Sequence, residues 1–140
     1  KIKDLFEHTE FREAFKQIMN FAGVGNTYLE KSAPWTLIKN GEIDKAKKVL
    51  YLCLNMAKSL CIVASPIMCN RTKEIWTEQL NFAGSPSEDG YWDNAKLIDV
   101  KKDHKTNAPK PLYARIDDDK LNEYKEHFSK PFDMSELKNW

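Results

Sequence analysis

The apolar residues near the start of the chain recur at steps of three and four residues between Glu10 and Ser32, which is the period of an amphipathic helix. The positions that set this period are Phe11, Ala14, Phe15, Ile18, Phe21, Ala22 and Leu29. The pattern predicts one long helix that stops near Ser32, because Pro34 disfavours the helical conformation for the residue before it. Gly23 and Gly25 interrupt the pattern, so we expect either a close approach to the backbone or a local kink there.

Three further helices are predicted: a brief one that begins at Pro34, a long apolar one, and one that begins at Pro66. Pro34 fits the first turn of a brief helix over residues 34–41, which Asn and Gly terminate. Residues 42–64 form a helix by periodicity, and its second half is apolar on nearly all sides, so it should be mostly buried. Pro66 is expected to end that helix and to open the next one, which runs to about Leu80.

The chain changes character beyond Asn81. Glycine, serine and proline cluster in the first stretch, and residues 101–111 are charged, contain proline and lack a period, so both predict irregular structure. Residues 91–98 can form a short turn or strand against the bundle. Asp117 or Asp118 can cap a last helix, whose apolar positions are Leu121, Tyr124 and Phe128.

These elements define the expected fold class. With 140 residues and 41% hydrophobic content, the chain has material for one domain with one core. We predict an all-α bundle of four to five helices with an irregular C-terminal arm. Residues 1–82 are expected to form the core bundle, and residues 83–140 the loop-rich arm and last helix of the same domain.

Charge and composition exclude several classes of protein. The 22 Lys and Arg residues against 21 Asp and Glu give a formal charge of +1, which is unlike a histone-like basic protein or an acidic tail. Asn55, Lys58 and Ser59 interrupt the longest apolar stretch, and no signal-peptide pattern precedes it. The three cysteines lack a Cys-x-x-Cys spacing, which favours a reducing compartment. We therefore expect a cytoplasmic protein with no membrane partner.

The sequence lacks the common catalytic motifs: a glycine-rich phosphate loop, a nucleophile elbow and a metal-spaced His and Cys cluster. Cys53, Cys61 and Cys69 are expected to be buried reduced thiols. The acidic run 117–119 is expected to cap a helix rather than hold a metal. We predict no catalytic residue and no metal site. The histidines are expected to be solvated surface residues, namely His8, His104 and His127.

Trp35 is the strongest candidate for binding. An indole beside a helix start, between Pro34 and Lys39, offers a stacking face for an unpaired base, with backbone amides and a cation for its phosphate. The alternative is that Trp35 fills a helix corner as a core residue. Lys39 and Lys45 belong to a local basic excess that can contact an RNA backbone without reading its sequence, or can form a solvated helix face.

Two motifs resemble the anticodon-binding domain of methionyl-tRNA synthetases. Residues 26–37, Asn-Thr-Tyr-Leu-Glu-Lys-Ser-Ala-Pro-Trp-Thr-Leu, resemble that family's Asn-x-Tyr, four-residue spacer, Ala-Pro-Trp-x-Leu signature. Residues 111–117, Pro-Leu-Tyr-Ala-Arg-Ile-Asp, resemble its Leu-Phe-Pro-Arg-Ile-Asp tail, with Tyr113 for Phe and Ala114 for Pro. A long apolar helix and a Pro66 corner lie between them in the family's order, so the resemblance covers nearly the whole chain.

The resemblance implies specific roles for the motif residues. Trp35 would stack on the first anticodon base, and Pro34 would shape the pocket beside it. Glu30 would help to reject wrong anticodons, although a solvated helix surface is the alternative. Arg115 would dock the tail on the catalytic domain, with plain solvation as its alternative.

The implied function is to position methionine tRNA by its anticodon loop for a catalytic domain that this chain lacks. The whole enzyme would use methionine, ATP and Mg²⁺, and this part would need no cofactor and bind no DNA. Because the first residue is Lys1 and the family's adenylation motifs are absent, we expect a trimmed piece without the family's earlier helix that supplies an Asn and an Arg. The alternatives are another class I synthetase (cysteinyl, valyl or isoleucyl) and a helical scaffold whose Trp35 face binds a protein.

Overall fold

The computed structural model describes residues 1–88, 91–113 and 116–129. All regular secondary structure in these residues is helical, which confirms the predicted all-α bundle with an irregular C-terminal arm. The chain forms two compact units, residues 1–110 and residues 111–140. The division expected after residue 82 stays a prediction. In the part of the chain that the structure describes, no helix is both long enough and apolar enough to cross a membrane.

The first unit contains two long helices and several short ones. In chain order its elements are α1 (Ile2–Glu7), α2 (Phe11–Ser32), α3 (Pro34–Lys39), α4 (Ile43–Ala64), α5 (Cys69–Glu74), a π-helical turn (Ile75–Gln79) and α6 (Tyr91–Asn94). The long helices α2 and α4 pack against each other, while α1 packs on α2 and α3 packs on α4. The predictions for α2, α3 and α4 are confirmed, whereas α1 was not predicted because its apolar pattern spans less than two turns.

The core of this unit follows the helical period of the two long helices. On α2 the buried apolar side chains are Ala14 and Ile18, which are four residues apart. On α4 the apolar second half is buried as predicted, and Ile62 is fully inaccessible. Ile62 belongs to a cluster with Cys61 and Trp76, which joins α4 to the π-helical turn. Burial of such a side chain stabilises a fold by about 1.5–3 kcal/mol.

The two glycines of α2 occupy different environments. A Cβ atom added to Gly25 would lie 3.2 Å from the terminal methyl carbon of Met56 on α4. A Cβ atom added to Gly23 would meet nothing within 4 Å. The expected close approach is therefore confirmed at Gly25 and wrong at Gly23.

The corner after α4 differs from the prediction. The new helix begins at Cys69 rather than at Pro66. The amides of Ile67 and Met68 both donate to the carbonyl oxygen of Ala64, at 3.0 and 2.9 Å, so the chain completes a turn on the end of α4 first. The backbone leaves the helical region at Met68, where φ is −121°. The Ser-Pro pair thus ends one helix without starting the next.

An aromatic stack holds the loop that follows the π-helical turn. The indole Nε1 of Trp76 donates to the carbonyl oxygen of Ala83 at 2.8 Å, and the Phe82 ring lies 4.8 Å from the Trp76 ring. His104 stacks on Phe82 at 4.6 Å, and its Nε2 atom lies 2.6 Å from the carbonyl oxygen of Leu80. The prediction that His104 is a solvated surface residue is wrong, because the loop folds back over the aromatic rings.

Trp92 on α6 anchors the loop to the bundle. Its ring meets Phe6 of α1 edge to face, with 5.8 Å between ring centroids. It also packs against the core cluster that contains Trp76. Trp76 and Trp92 therefore both contribute to the packing of this unit.

The described part of the second unit contains one helix, α7 (Asp118–Ser129). The carboxylate of Asp117 accepts a hydrogen bond from the amide of Lys120 at 2.9 Å, which confirms the predicted acidic cap. Arg115, to which the sequence assigned a docking role, lies outside the described residues.

Candidate nucleic-acid interface

A left-handed residue forms the corner between α2 and α3. Ala33 has φ +38° and ψ +61°, a region that costs an L-residue about 1–2 kcal/mol. Its amide donates to the carbonyl oxygen of Leu29 at 3.0 Å, and its own carbonyl oxygen accepts from the amide of Thr36 at 2.8 Å. Ala33 therefore ends one helix and begins the next. Because no linker intervenes, Pro34 and Trp35 occupy the first turn of α3 directly after the corner.

The corner buries Pro34 and exposes Trp35. Pro34 is a buried residue in the first helical position, where its missing amide proton costs nothing. Trp35 keeps 51% of its surface exposed, whereas Trp76, a true core residue, keeps 2%. The interpretation of Trp35 as a core residue is therefore wrong. Its indole is available to a partner from solution.

Two charged residues flank this indole in the sequence. Lys39 follows Trp35 by four residues on α3, which places both on one side of the helix. Glu30 lies in the last two turns of α2. Both side chains are exposed, and in the described residues neither ammonium nor carboxylate takes part in an ion pair. The α2–α3 corner therefore presents an indole, a cation and a carboxylate to solvent.

The lysines on the first turns of α4 are paired with neighbouring carboxylates. The ammonium of Lys45 forms an ion pair with Glu42, and that of Lys47 lies 3.9 Å from Asp44. These pairs reduce the basic excess that the sequence suggested. An exposed pair of this kind contributes only about 0–1 kcal/mol, so a phosphate could displace Glu42 from Lys45. A backbone contact by Lys45 stays a prediction.

The cysteines differ in exposure. Cys61 is buried, which raises the pKa of its thiol to about 12, and partial burial also raises the pKa of Cys53. Cys69 is exposed, so the prediction of three buried thiols is wrong for it. The reason is the late start of α5, which leaves Cys69 in its exposed first turn. Within residues 1–88, 91–113 and 116–129, no three His, Cys, Asp or Glu side chains are grouped so that they could hold a metal ion.

Two buried polar residues of α4 have partners that the sequence analysis did not find. Lys58 has only 7% of its side chain exposed and forms an ion pair with Asp99. The Oδ1 atom of Asn55 accepts from the amide of Val100 at 3.2 Å. In the sequence, both residues appear only as interruptions of an apolar stretch. The available signal was that polar groups inside a buried helix require partners.

These observations define an all-α bundle that exposes one tryptophan at a strained helix corner. The family described as the anticodon binding domain of methionyl tRNA ligase matches residues 1–132. The chain belongs to this family. The match includes the corner with Trp35 and the whole of α7.

Individual relatives agree with the family assignment. The chain is 35% identical over 130 residues to the methionine–tRNA ligase of Methanobrevibacter smithii, which covers 93% of this chain and 19% of that protein. It is 30% identical over 117 residues to the enzyme of Sulfolobus acidocaldarius, covering 84% of this chain and 20% of that protein. The chain thus spans about a fifth of the length of these relatives. No solved structure matches the chain significantly.

Proposed function

We propose that this chain binds the anticodon loop of methionine tRNA as the anticodon-recognition part of a methionine–tRNA ligase. The observation that carries the proposal is the half-exposed indole of Trp35 directly after the strained corner at Ala33. Unpaired bases of RNA loops are commonly bound by stacking on aromatic side chains. Such stacking contributes about 1–3 kcal/mol per base.

The neighbours of Trp35 have complementary roles in this proposal. The buried ring of Pro34 fixes the backbone from which the indole projects. Lys39 supplies a cation to a phosphate beside the stacked base, and Lys45 adds a weaker backbone contact. The exposed carboxylate of Glu30 repels phosphates or base acceptors that a wrong anticodon would bring near it.

The rest of the reaction belongs to a catalytic domain outside these residues. That domain would bind methionine, ATP and Mg²⁺ and charge the tRNA in the cytoplasm, while the present chain would bring no cofactor of its own. We propose that Arg115 helps to dock the tail on that domain. Anticodon binding would then hold the acceptor end of the tRNA in position for the reaction.

Direct binding measurements test the proposal. Fluorescence anisotropy with labelled transcripts would compare methionine tRNA with the same tRNA carrying a changed anticodon, and with the cysteine, valine and isoleucine tRNAs. We expect the intact methionine anticodon to bind most tightly. Preference for one of the other tRNAs would indicate another class I synthetase. Equal or no binding to all of them would contradict the proposal and favour a protein-binding scaffold.

A matched pair of aromatic variants tests the role of Trp35. Loss of a stacked base predicts that Trp35→Ala weakens binding of methionine tRNA about 5- to 150-fold, the equivalent of about 1–3 kcal/mol. Phe15→Ala removes another exposed aromatic ring, 44% accessible, from α2 and should change the affinity less than twofold. Equal effects of the two substitutions would refute a specific stacking role for Trp35.

A further inference from the structure

A second positively charged region lies far along the chain from the α2–α3 corner. Residues 96–110, called here the basic segment, contain five lysines and two aspartates, although the formal charge of the whole chain is only +1. The five are Lys96, Lys101, Lys102, Lys105 and Lys110. The role proposed for Trp35 makes no use of this charge.

The basic segment is irregular but is held in place by hydrogen bonds to the end of the π-helical turn. The amide of Asn107 donates to the carbonyl oxygen of Gln79 at 2.9 Å, and its side-chain nitrogen donates to that of Glu78 at 3.1 Å. Asn81 donates to the carbonyl oxygen of Lys105 at 2.9 Å. The stacking of His104 on Phe82 holds the middle of the basic segment in place. None of these contacts uses a lysine ammonium group.

The ammonium groups in the middle of the segment remain available. Lys101, Lys102 and Lys105 are exposed, and in the described part of the chain none of the three takes part in an ion pair. The carboxylate of Asp99 is paired with Lys58 and that of Glu78 with Lys110, whereas Asp103 is exposed and forms no ion pair in the described residues. Residues 101–105 therefore carry a formal charge of +2. The backbone that carries these three lysines is already ordered in the folded protein. A partner that binds them therefore does not have to reduce the conformational entropy of that backbone.

The basic segment and α3 are both attached to α4. The α3 helix directly precedes α4 and packs on it, whereas the basic segment is attached further along α4, at Asn55 and Lys58. From the start of α4 near Ile43 to Lys58 the rise along the helix is about 22 Å, at 1.5 Å per residue. The basic segment is therefore attached to α4 about four turns beyond the start of that helix.

We propose that Lys101, Lys102 and Lys105 bind backbone phosphates of the tRNA outside the anticodon, as a second contact site. The inference rests on the proposed function, since membership of a tRNA ligase family favours RNA over other polyanions. His104, the aromatic residue between them, is already stacked on Phe82, so the three lysines contribute affinity and orientation without reading bases. Their contribution is therefore independent of the anticodon sequence and sensitive to salt.

The salt dependence of binding tests this site. The variant Lys101→Gln/Lys102→Gln/Lys105→Gln would be titrated with methionine tRNA between 50 and 200 mM salt. The slope of log K against log salt is negative, and each lost phosphate contact reduces its magnitude by about 0.7–0.9. The slope of the variant should therefore be smaller in magnitude by about 2–3. We expect affinity at low salt to fall about 10-fold or more. The ratio between correct and changed anticodons should stay the same.

A charge-matched control separates this site from the net charge. Lys3→Gln/Lys16→Gln/Lys125→Gln removes the same charge, from two lysines that are already paired with carboxylates and one on α7. It should leave the slope within about 1 of the parent value. Equal slopes for the two triple variants would overturn the proposal. Circular dichroism of each variant establishes that both are folded.

The outcomes distinguish this inference from the proposed function. If the parent chain binds tRNA with anticodon preference and the lysine variant keeps the parent slope, only the second contact site is refuted. If the parent chain binds no tRNA, both proposals fail. Unchanged tRNA binding together with lost binding to phosphatidylserine vesicles would overturn the assignment to RNA in favour of a membrane surface.

Discussion

The ammonium group of Lys58, almost completely buried on α4, forms an ion pair with the carboxylate of Asp99, and the carbonyl oxygen of Leu97 lies 3.4 Å from it. The pair is asymmetric, because 53% of the Asp99 side chain remains exposed. It joins the centre of the bundle to residues 97–100. The neighbouring hydrogen bond from Val100 to Asn55 reinforces the same attachment.

This asymmetry predicts unequal effects when either partner is removed. Asp99→Asn leaves a buried cation without its counter-charge and should lower the free energy of unfolding by about 1–3 kcal/mol. Lys58→Met removes the buried charge itself and leaves Asp99 to be hydrated, so it should cost less than about 1 kcal/mol. Urea unfolding followed by circular dichroism measures both. The opposite order would show that the lysine stem, not its charge, maintains the attachment.

The two glycines of α2 provide a controlled test of helix packing. Gly23→Ala should stabilise the protein by about 0.5–1 kcal/mol, because the helix gains propensity and the new methyl group meets nothing. Gly25→Ala gains the same propensity but must displace the methyl group of Met56, 3.2 Å away, so its net effect should be close to zero or destabilising. Thermal melting of both variants gives the comparison. A larger gain at Gly25 would contradict the packing of α2 on α4.

The cysteines should react with an alkylating agent in the order Cys69, Cys53, Cys61. The thiolate is the reactive form, and burial raises the pKa of Cys61 to about 12, so this thiol stays protonated and shielded from pH 7 to 10. Cys69 is exposed and should be modified first. Time-resolved iodoacetamide labelling with peptide mass spectrometry measures the three rates. Rapid labelling of Cys61 in the folded chain would refute its burial.

Local sequence rules succeeded where a few neighbouring residues determine the structure. The apolar period of α2 and the prolines on either side of α4 gave the main helices, because backbone restrictions at proline act within one or two residues. The start after Pro66 was wrong, since the choice between a turn and a helix depends on hydrogen bonds to Ala64. Local pattern alone carries no information about that competition.

The candidate site was predictable only in part. The motif and the helix start marked Pro34 and Trp35, but the side on which a six-residue helix packs cannot be read from its own pattern, so exposure of Trp35 required the structure. The partner of Lys58 is 41 residues away in an irregular segment, where no periodic signal exists. Such pairs depend on how the loop crosses the bundle.

The last prediction contrasts Trp35 with Trp76 in the same protein. Trp76 is buried and its Nε1 atom donates to Ala83, so Trp76→Ala should cost about 3–5 kcal/mol and lower the melting temperature strongly. Trp35 is half exposed, so Trp35→Ala should cost less than about 1.5 kcal/mol, although its indole contains the same number of atoms.

The effects on stability and on tRNA binding should therefore differ between these two variants. Trp35→Ala should remain folded near the parent melting temperature while losing affinity for methionine tRNA, because its indole contributes to a partner rather than to the core. A milder core substitution, Ile18→Val, costs about 0.5–1.5 kcal/mol and serves as the control for stability alone, so its tRNA affinity should match the parent. Calorimetry beside anisotropy titration provides both quantities. If Trp35→Ala lowered stability as much as Trp76→Ala does, the indole would have to be assigned to the core, and the anticodon-stacking role would lose its structural basis.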